Sequence, residues 1–160
     1  SIYLVNLFFM KPFSIDHFLA KETFLEIIDS PESMTYIGIF DKYNWFTGHA
    51  SKLTIPSQKQ LDRDKAKARK ILETLRSYDD ENLSSIQRAS KKIAIFDTEN
   101  TLLRLETFPF HNYVLNQIGG AHIDMVEFMT DTHPIRNLPE AEAYIDRVRL
   151  FEDVFEGVSV

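Results

Sequence analysis

The chain of 160 residues contains no cysteine. Disulfides and thiolate metal sites are therefore excluded, while cytosol and periplasm both stay open as compartments. Glycine and proline are scarce, five and six residues, too few for the closely spaced turns of an all-β chain. Long apolar runs are also missing. The most apolar segment, Ile2 to Phe9, falls well short of the roughly 20 residues that a membrane-spanning helix needs. It reads as the tail of a signal-peptide apolar region, a buried first helix or an exposed contact segment, and the sequence leaves the three open. Ser1 stands where a Met would start a natural reading frame, so the expectation is a lost or replaced N-terminus. Positive charge is in deficit: 18 Lys and Arg face 24 Asp and Glu, for a net charge of −6. Nucleic acids and anionic membranes both need a basic face, so neither is expected as a partner. Basic residues cluster at Lys59 to Lys70 and Arg88 to Lys92. Asp62, Asp64 and Glu73 interleave the first cluster, and both read as solvated helix faces.

What is present supports a folded chain: 44% of residues are hydrophobic, 26% are charged, and 13 are Phe. The spacing of apolar residues is helical nearly throughout. Ile15 to Ile28 reads as a helix capped by Ser14, with Ile15, Phe18, Leu19, Leu25 and Ile28 on a broad apolar face. Ser30 then caps a short helix with Pro31 at its first position, and Gly38 ends it. Residues 40–56 read as a loop. Ser57 with Gln60, and Ser84 with Gln87, form capping boxes that open long helices to about Tyr78 and Glu106. Leu61, Ala68, Ile71, Leu72 and Leu75 stripe the first. Ile86, Ala89, Ile93, Phe96, Asn100 and Leu103 stripe the second. Joined by Asp79 to Leu83, the two predict an antiparallel hairpin. Phe110 to Gln117 reads as a helix stopped by Gly119-Gly120, and Ile123 to Thr130 as another. Asn137 and Glu140 form a third capping box. It opens a helix with Ala141, Tyr144, Ile145, Val148, Phe151 and Phe155 on one face, ended by Gly157. The fold class expected is all-α: an irregular multi-helix array with a long helical hairpin, forming one domain over residues 1–160.

Few motifs carry chemistry. Ile93 to Leu103, with Asp97-Thr98-Glu99-Asn100-Thr101, is similar to the D-x-D-x-T nucleophile motif of haloacid dehalogenase-like phosphatases. There an apolar strand presents a nucleophilic Asp and a second Asp serves as acid/base. Glu99 is one methylene too long for that second role, and the flanking residues recur at helical spacing rather than as a strand. The phosphatase reading is accordingly a remote alternative. No two of the histidines His17, His49, His111, His122 and His133 have the spacing of a zinc-binding H-E-x-x-H, and they read as structural or surface residues. G-x-S-x-G, G-x-G-x-x-G and Walker sequences are absent as well. Tyr36, Tyr43, Trp45 and Phe46 line a groove or, more simply, pack as an aromatic cluster. No catalytic, cofactor-binding or metal-binding residue is assigned.

Several segments in order resemble the N-terminal region of the bacterial family called domain of unknown function 885. They are Phe24 to Gly38, with Ser30-Pro31-Glu32, Tyr36 and Gly38; the charged helices from Asp62 to Leu105; and Tyr113 to Gly119, Phe128, His133-Pro134-Ile135, Glu140-Ala141, Tyr144-Ile145 and Arg147. The resemblance implies a gluzincin-like zinc peptidase relative whose H-E-x-x-H-like motif lies in a C-terminal half beyond Val160. It also implies that these residues form the N-terminal helical lobe, covering one side of a substrate cleft. The partners it implies are the C-terminal lobe and a peptide substrate, with zinc held outside residues 1–160. Self-association is a further expectation, because the face that meets the other lobe is apolar. Secreted or periplasmic placement is favoured over cytoplasmic. The alternative is a stand-alone helical module that binds a protein through residues 43–46 or the hairpin.

Overall fold

The computed structural model describes residues 11–38, 47–107 and 119–158. Its elements are α1 (Ile15–Asp29), α2 (Pro31–Ile37), α3 (Gln58–Arg76), a 3-10 turn (Asp80–Asn82), α4 (Ser85–Thr107), α5 (Ala121–Glu127), a π-helical turn (Phe128–Thr132), α6 (Leu138–Arg149) and α7 (Phe151–Val158). There is no strand among the described residues, and the chain is all-α as its spacing indicates. The segments expected at 2–9, 43–46 and 110–117, together with His111, lie outside the described residues. The chain divides into two compact units: residues 1–24 with 58–111, and residues 25–57 with 112–160.

The first unit is built on α3 and α4. The Ser84 box forms in full: Gln87 N–H donates to Ser84 Oγ at 3.2 Å, and Ser84 N–H donates to Gln87 Oε1 at 3.0 Å. Arg69 pairs with Glu106 and Arg76 with Glu99, so residue numbers rise along one helix as they fall along the other. Ile15, Phe18, Leu75 and Tyr78 make the buried core, with Ile71, Ala94 and Ile95 packed against it. The Tyr78 hydroxyl donates to the Pro12 carbonyl at 2.6 Å, and burial pushes its pKa up to about 12. The stripe predicted for α4 does lie on one face, but that face does not pack. Ile86, Ile93, Phe96 and Leu103 are all exposed, and the buried residue of α4 is Lys91. Its ammonium donates to the Tyr78 carbonyl and to Asp80 Oδ1, both at 2.6 Å, which turns the Lys91, Ala94 and Ile95 side inward.

In the second unit, α2 starts as expected. Ser30 Oγ accepts from Ser33 N–H at 3.1 Å, Pro31 occupies the first turn, and Gly38 closes the helix at a left-handed φ of 64°. That conformation is cheap only for glycine. Asn137 Oδ1 caps Glu140 N–H at 3.0 Å, but the Glu140 carboxylate reaches past Asn137 to Arg136, accepting its N–H at 2.6 Å. The helix opened there breaks at Leu150 instead of running on to Phe155. Gly157 lies inside α7 and does not end the helix. A Cβ there would collide with the Pro56 carbonyl oxygen, so glycine is needed for close approach.

Candidate functional site

The densest polar cluster among the described residues surrounds Arg147, whose side chain is fully buried. It stands on the inward side of α6 with the half-buried Ala141 and Tyr144, while Ile145 and Val148, expected on the same apolar face, are exposed. Its Nε donates to the Lys52 carbonyl at 2.9 Å and its Nη1 to His133 Nδ1 at 2.7 Å. Nη2 reaches Thr35 Oγ1 at 2.7 Å, the His49 carbonyl at 3.0 Å and the Pro31 carbonyl at 3.3 Å. The guanidinium carbon lies 4.9 Å from the Phe128 ring centroid, a cation–π distance. All these groups belong to the second unit.

Each partner is itself placed by local chemistry. Thr35 donates its hydroxyl back to the Pro31 carbonyl at 2.9 Å, leaving its oxygen free to accept from Arg147. Glu32 accepts from the Thr54 N–H at 2.6 Å and the Thr54 hydroxyl at 2.8 Å, which pins residues 52–56 beside α2. A guanidinium only donates, so His133 Nδ1 must be the acceptor. The imidazole is therefore neutral with its proton on Nε2, which donates to the Glu140 carbonyl at 3.2 Å. The Tyr144 ring meets it edge-on at 5.3 Å.

The electrostatics are those of a buried cation held by neutral acceptors. Burial pulls the Arg147 pKa down to about 10, partly opposed by the nearby Glu32 carboxylate, so the group stays charged at neutral pH. Burial also lowers the His133 pKa, and the positive charge of Arg147 lowers it further, against the hydrogen bond to the Glu140 carbonyl. No buried side-chain nitrogen or oxygen among the described residues lacks a partner. With both imidazole nitrogens engaged and the guanidinium's contacts all neutral, the cluster is a clasp. It ties α2, residues 49–52, the π-helical turn's end and α6 into one body.

The motifs weighed from the sequence fall elsewhere. Asp97, Glu99 and Thr101 lie mid-way along α4, where Glu99 binds Arg76 at 2.6 Å. A phosphatase nucleophile needs a strand end, and the helix removes it. His17 lies on α1 and His122 on α5, while His49 and His133 are buried around Arg147. No three His, Asp or Glu side chains gather as a metal-binding group among the described residues. No helix among them is long and apolar enough to cross a membrane. Sequence reasoning missed Arg147 as a hub. The available signal was an arginine three residues after Tyr144 and six after Ala141, on the half-buried side of α6 rather than on the exposed Ile145 and Val148 side. Of the residues that carry the family resemblance, Pro31, Phe128, His133, Glu140 and Arg147 meet at this clasp.

A family model described as a bacterial protein of unknown function (DUF885) matches residues 31–160. No curated protein and no solved structure matches the chain.

Proposed function

The chain belongs to this family of bacterial proteins of unknown function, and from that premise we propose that residues 1–160 form a helical lobe of a larger zinc-peptidase-like protein. In this reading the lobe shapes one side of a substrate cleft. The zinc ligands and the general base stand outside these residues, and no catalytic step is assigned to this chain. The observation that carries the reading is the open apolar face of the second unit. Leu138, Ile145 and Val148 recur at helical spacing on α6 and are exposed, with Ile135 exposed just before them. An apolar face of that kind is uncommon on a protein unless something covers it. A zinc hydrolase needs a shaped, partly dry cavity, and a rigid helical wall supplies one side of it. The clasp on Arg147 would give such a wall its rigidity. The same resemblance favours periplasmic or secreted placement.

The test is the whole reading frame from which the chain derives. Expressed in full, it should bind zinc and hydrolyse peptides, whereas residues 1–160 alone should do neither. A full-length protein without two histidines and a glutamate at zinc-binding spacing would end the peptidase reading. The stand-alone protein-binding module would then take its place.

A further inference from the structure

Along α4, Ile86, Ala89, Ile93, Phe96, Asn100 and Leu103 follow one another in alternating steps of three and four. That is the a/d pattern of a coiled-coil seam, with Ile86, Ile93 and Asn100 at a and Ala89, Phe96 and Leu103 at d. The structure leaves this seam open. Ile86 is 77% exposed, Ile93 and Phe96 68% each, and Leu103 57%. The opposite side of α4, with Lys91, Ala94 and Ile95, is the side turned into the first unit. One helix thus carries two apolar faces, and among the described residues only one of them is covered.

We infer that the α4 seam docks against the same seam of a second copy of the chain, parallel and in register. The flanking charges select that occupant. With a and d so placed, Lys92 and Glu99 fall at g, and Asp97 and Arg104 at e. In a parallel pair each g residue faces the e residue five positions on in the other helix. Lys92 then meets Asp97 of the other copy, and Glu99 meets its Arg104, so all four charges find opposites. An antiparallel pair with Ile93 against Phe96 also sets Lys92 against Glu99, but it puts Asp97 against Ser90 and gives Arg104 no acid, so only two of the four charges are matched. Isoleucine at a with leucine at d favours two strands, a combination met here by Ile86 and Ile93 with Leu103, and a single Asn at a fixes register at some cost in stability. Asn100 occupies such a position with its amide in reach, now donating to the Phe96 carbonyl at 2.8 Å. Glu99 already holds Arg76 of its own chain in an exposed pair, and its carboxylate has room for a second donor. The seam covers fewer than three heptads, so the dimer is reversible and concentration-dependent. This inference is independent of the peptidase reading, since it uses only the first unit.

Light scattering coupled to size exclusion, from micromolar to near-millimolar chain, should show the mass rising from 18.6 kDa toward twice that value. Ile93→Glu should weaken association by roughly ten-fold or more, because pairing would bury an uncompensated carboxylate. Its circular dichroism should match the parent chain, since Ile93 is exposed. Lys92→Glu alone should also weaken the dimer, and adding Asp97→Lys should restore it. The chain has no cysteine of its own, so Asn100→Cys provides a clean reporter. Parallel in-register pairing brings two residues at position 100 within the roughly 4.4–6.8 Å Cα separation a disulfide accepts, and oxidation should link the copies. A monomer at every concentration would overturn the proposal. So would a dimer indifferent to Ile93→Glu, or an Asn100→Cys chain that links to an Ala89→Cys chain and never to its own kind.

Discussion

Arg147 shows how one residue can tie segments far apart in sequence into one body. A buried guanidinium normally recruits a carboxylate, yet here three backbone carbonyls, a threonine hydroxyl and an imidazole nitrogen receive its protons at or below 3.3 Å. Removing the donor strands the Lys52 carbonyl and His133 Nδ1, while the Pro31 carbonyl keeps the Thr35 hydroxyl and the His49 carbonyl keeps the Lys52 N–H. Arg147→Met should therefore cost about 3 kcal/mol or more, since each stranded buried acceptor costs about 1–3 kcal/mol. Arg147→Lys should recover only part of that, because an ammonium cannot fork to partners on several sides. Urea denaturation of the variants measures both. His133 makes the clasp sensitive to pH. Its folded pKa lies below the ordinary value of 6.5, so between the two values the unfolded chain binds more protons than the folded one. Stability is then full above about pH 6.5 and falls as pH drops toward the folded pKa. Protonation would also set a second cation against Arg147. Asn at position 133 offers an amide oxygen where Nδ1 stood, so His133→Asn should flatten the pH dependence of the urea midpoint between pH 7 and 5. An unchanged slope would show that His133 does not govern it.

At the scale of elements, the sequence marks where helices start more surely than which side they bury. Ser30, Ser84 and Asn137 each cap the helix expected of them, because a cap is a local bond within three residues. Burial is decided by distant partners. Apolar residues stand on two sides of α4, and the choice between them rests on Lys91 reaching the Tyr78 carbonyl and Asp80. Periodicity alone gives no hint of that bond. The clasp is illegible for the same reason: its members come from residues 31–35, 49–52, 133 and 147, and no local spacing connects them. Gly157 is a third case. Read as a helix stop, it is instead a contact point between α7 and the Pro56 carbonyl. Gly157→Ala should destabilise by about 1–3 kcal/mol, since the obstacle is backbone and the segment must shift. Gly48→Ala is the matched control. Nothing lies within 4 Å of its added methyl, and its φ is not positive. That change should be neutral or gain up to about 1 kcal/mol through the unfolded state. Equal losses at both positions would mean that Pro56 yields easily and that close approach does not explain Gly157.

For the whole molecule, charge and open apolar surface act against each other. The net charge of −6 at neutral pH keeps copies apart, and the isoelectric point near 5.3 is where that repulsion ends. Ile86, Phe96 and Leu138 remain exposed throughout. As pH falls from 7 toward 5.3, attraction between apolar faces meets less opposition, while below about pH 6.5 the clasp loses stability because His133 takes a proton more readily in the unfolded chain. Light scattering at low salt should therefore rise steeply over that interval. Two variants separate the causes. Ile93→Glu removes apolar surface from α4 and adds negative charge, so it should lower the scattering and shift its onset to lower pH. His133→Asn leaves surface and charge at pH 7 alone, so any change it makes must come through the fold. If scattering stays flat from pH 7 to 5, repulsion is not what holds the copies apart and the open faces attract too weakly to matter. If only His133→Asn suppresses it, acid aggregation begins with opening of the second unit, and the exposed seam of α4 is not its cause.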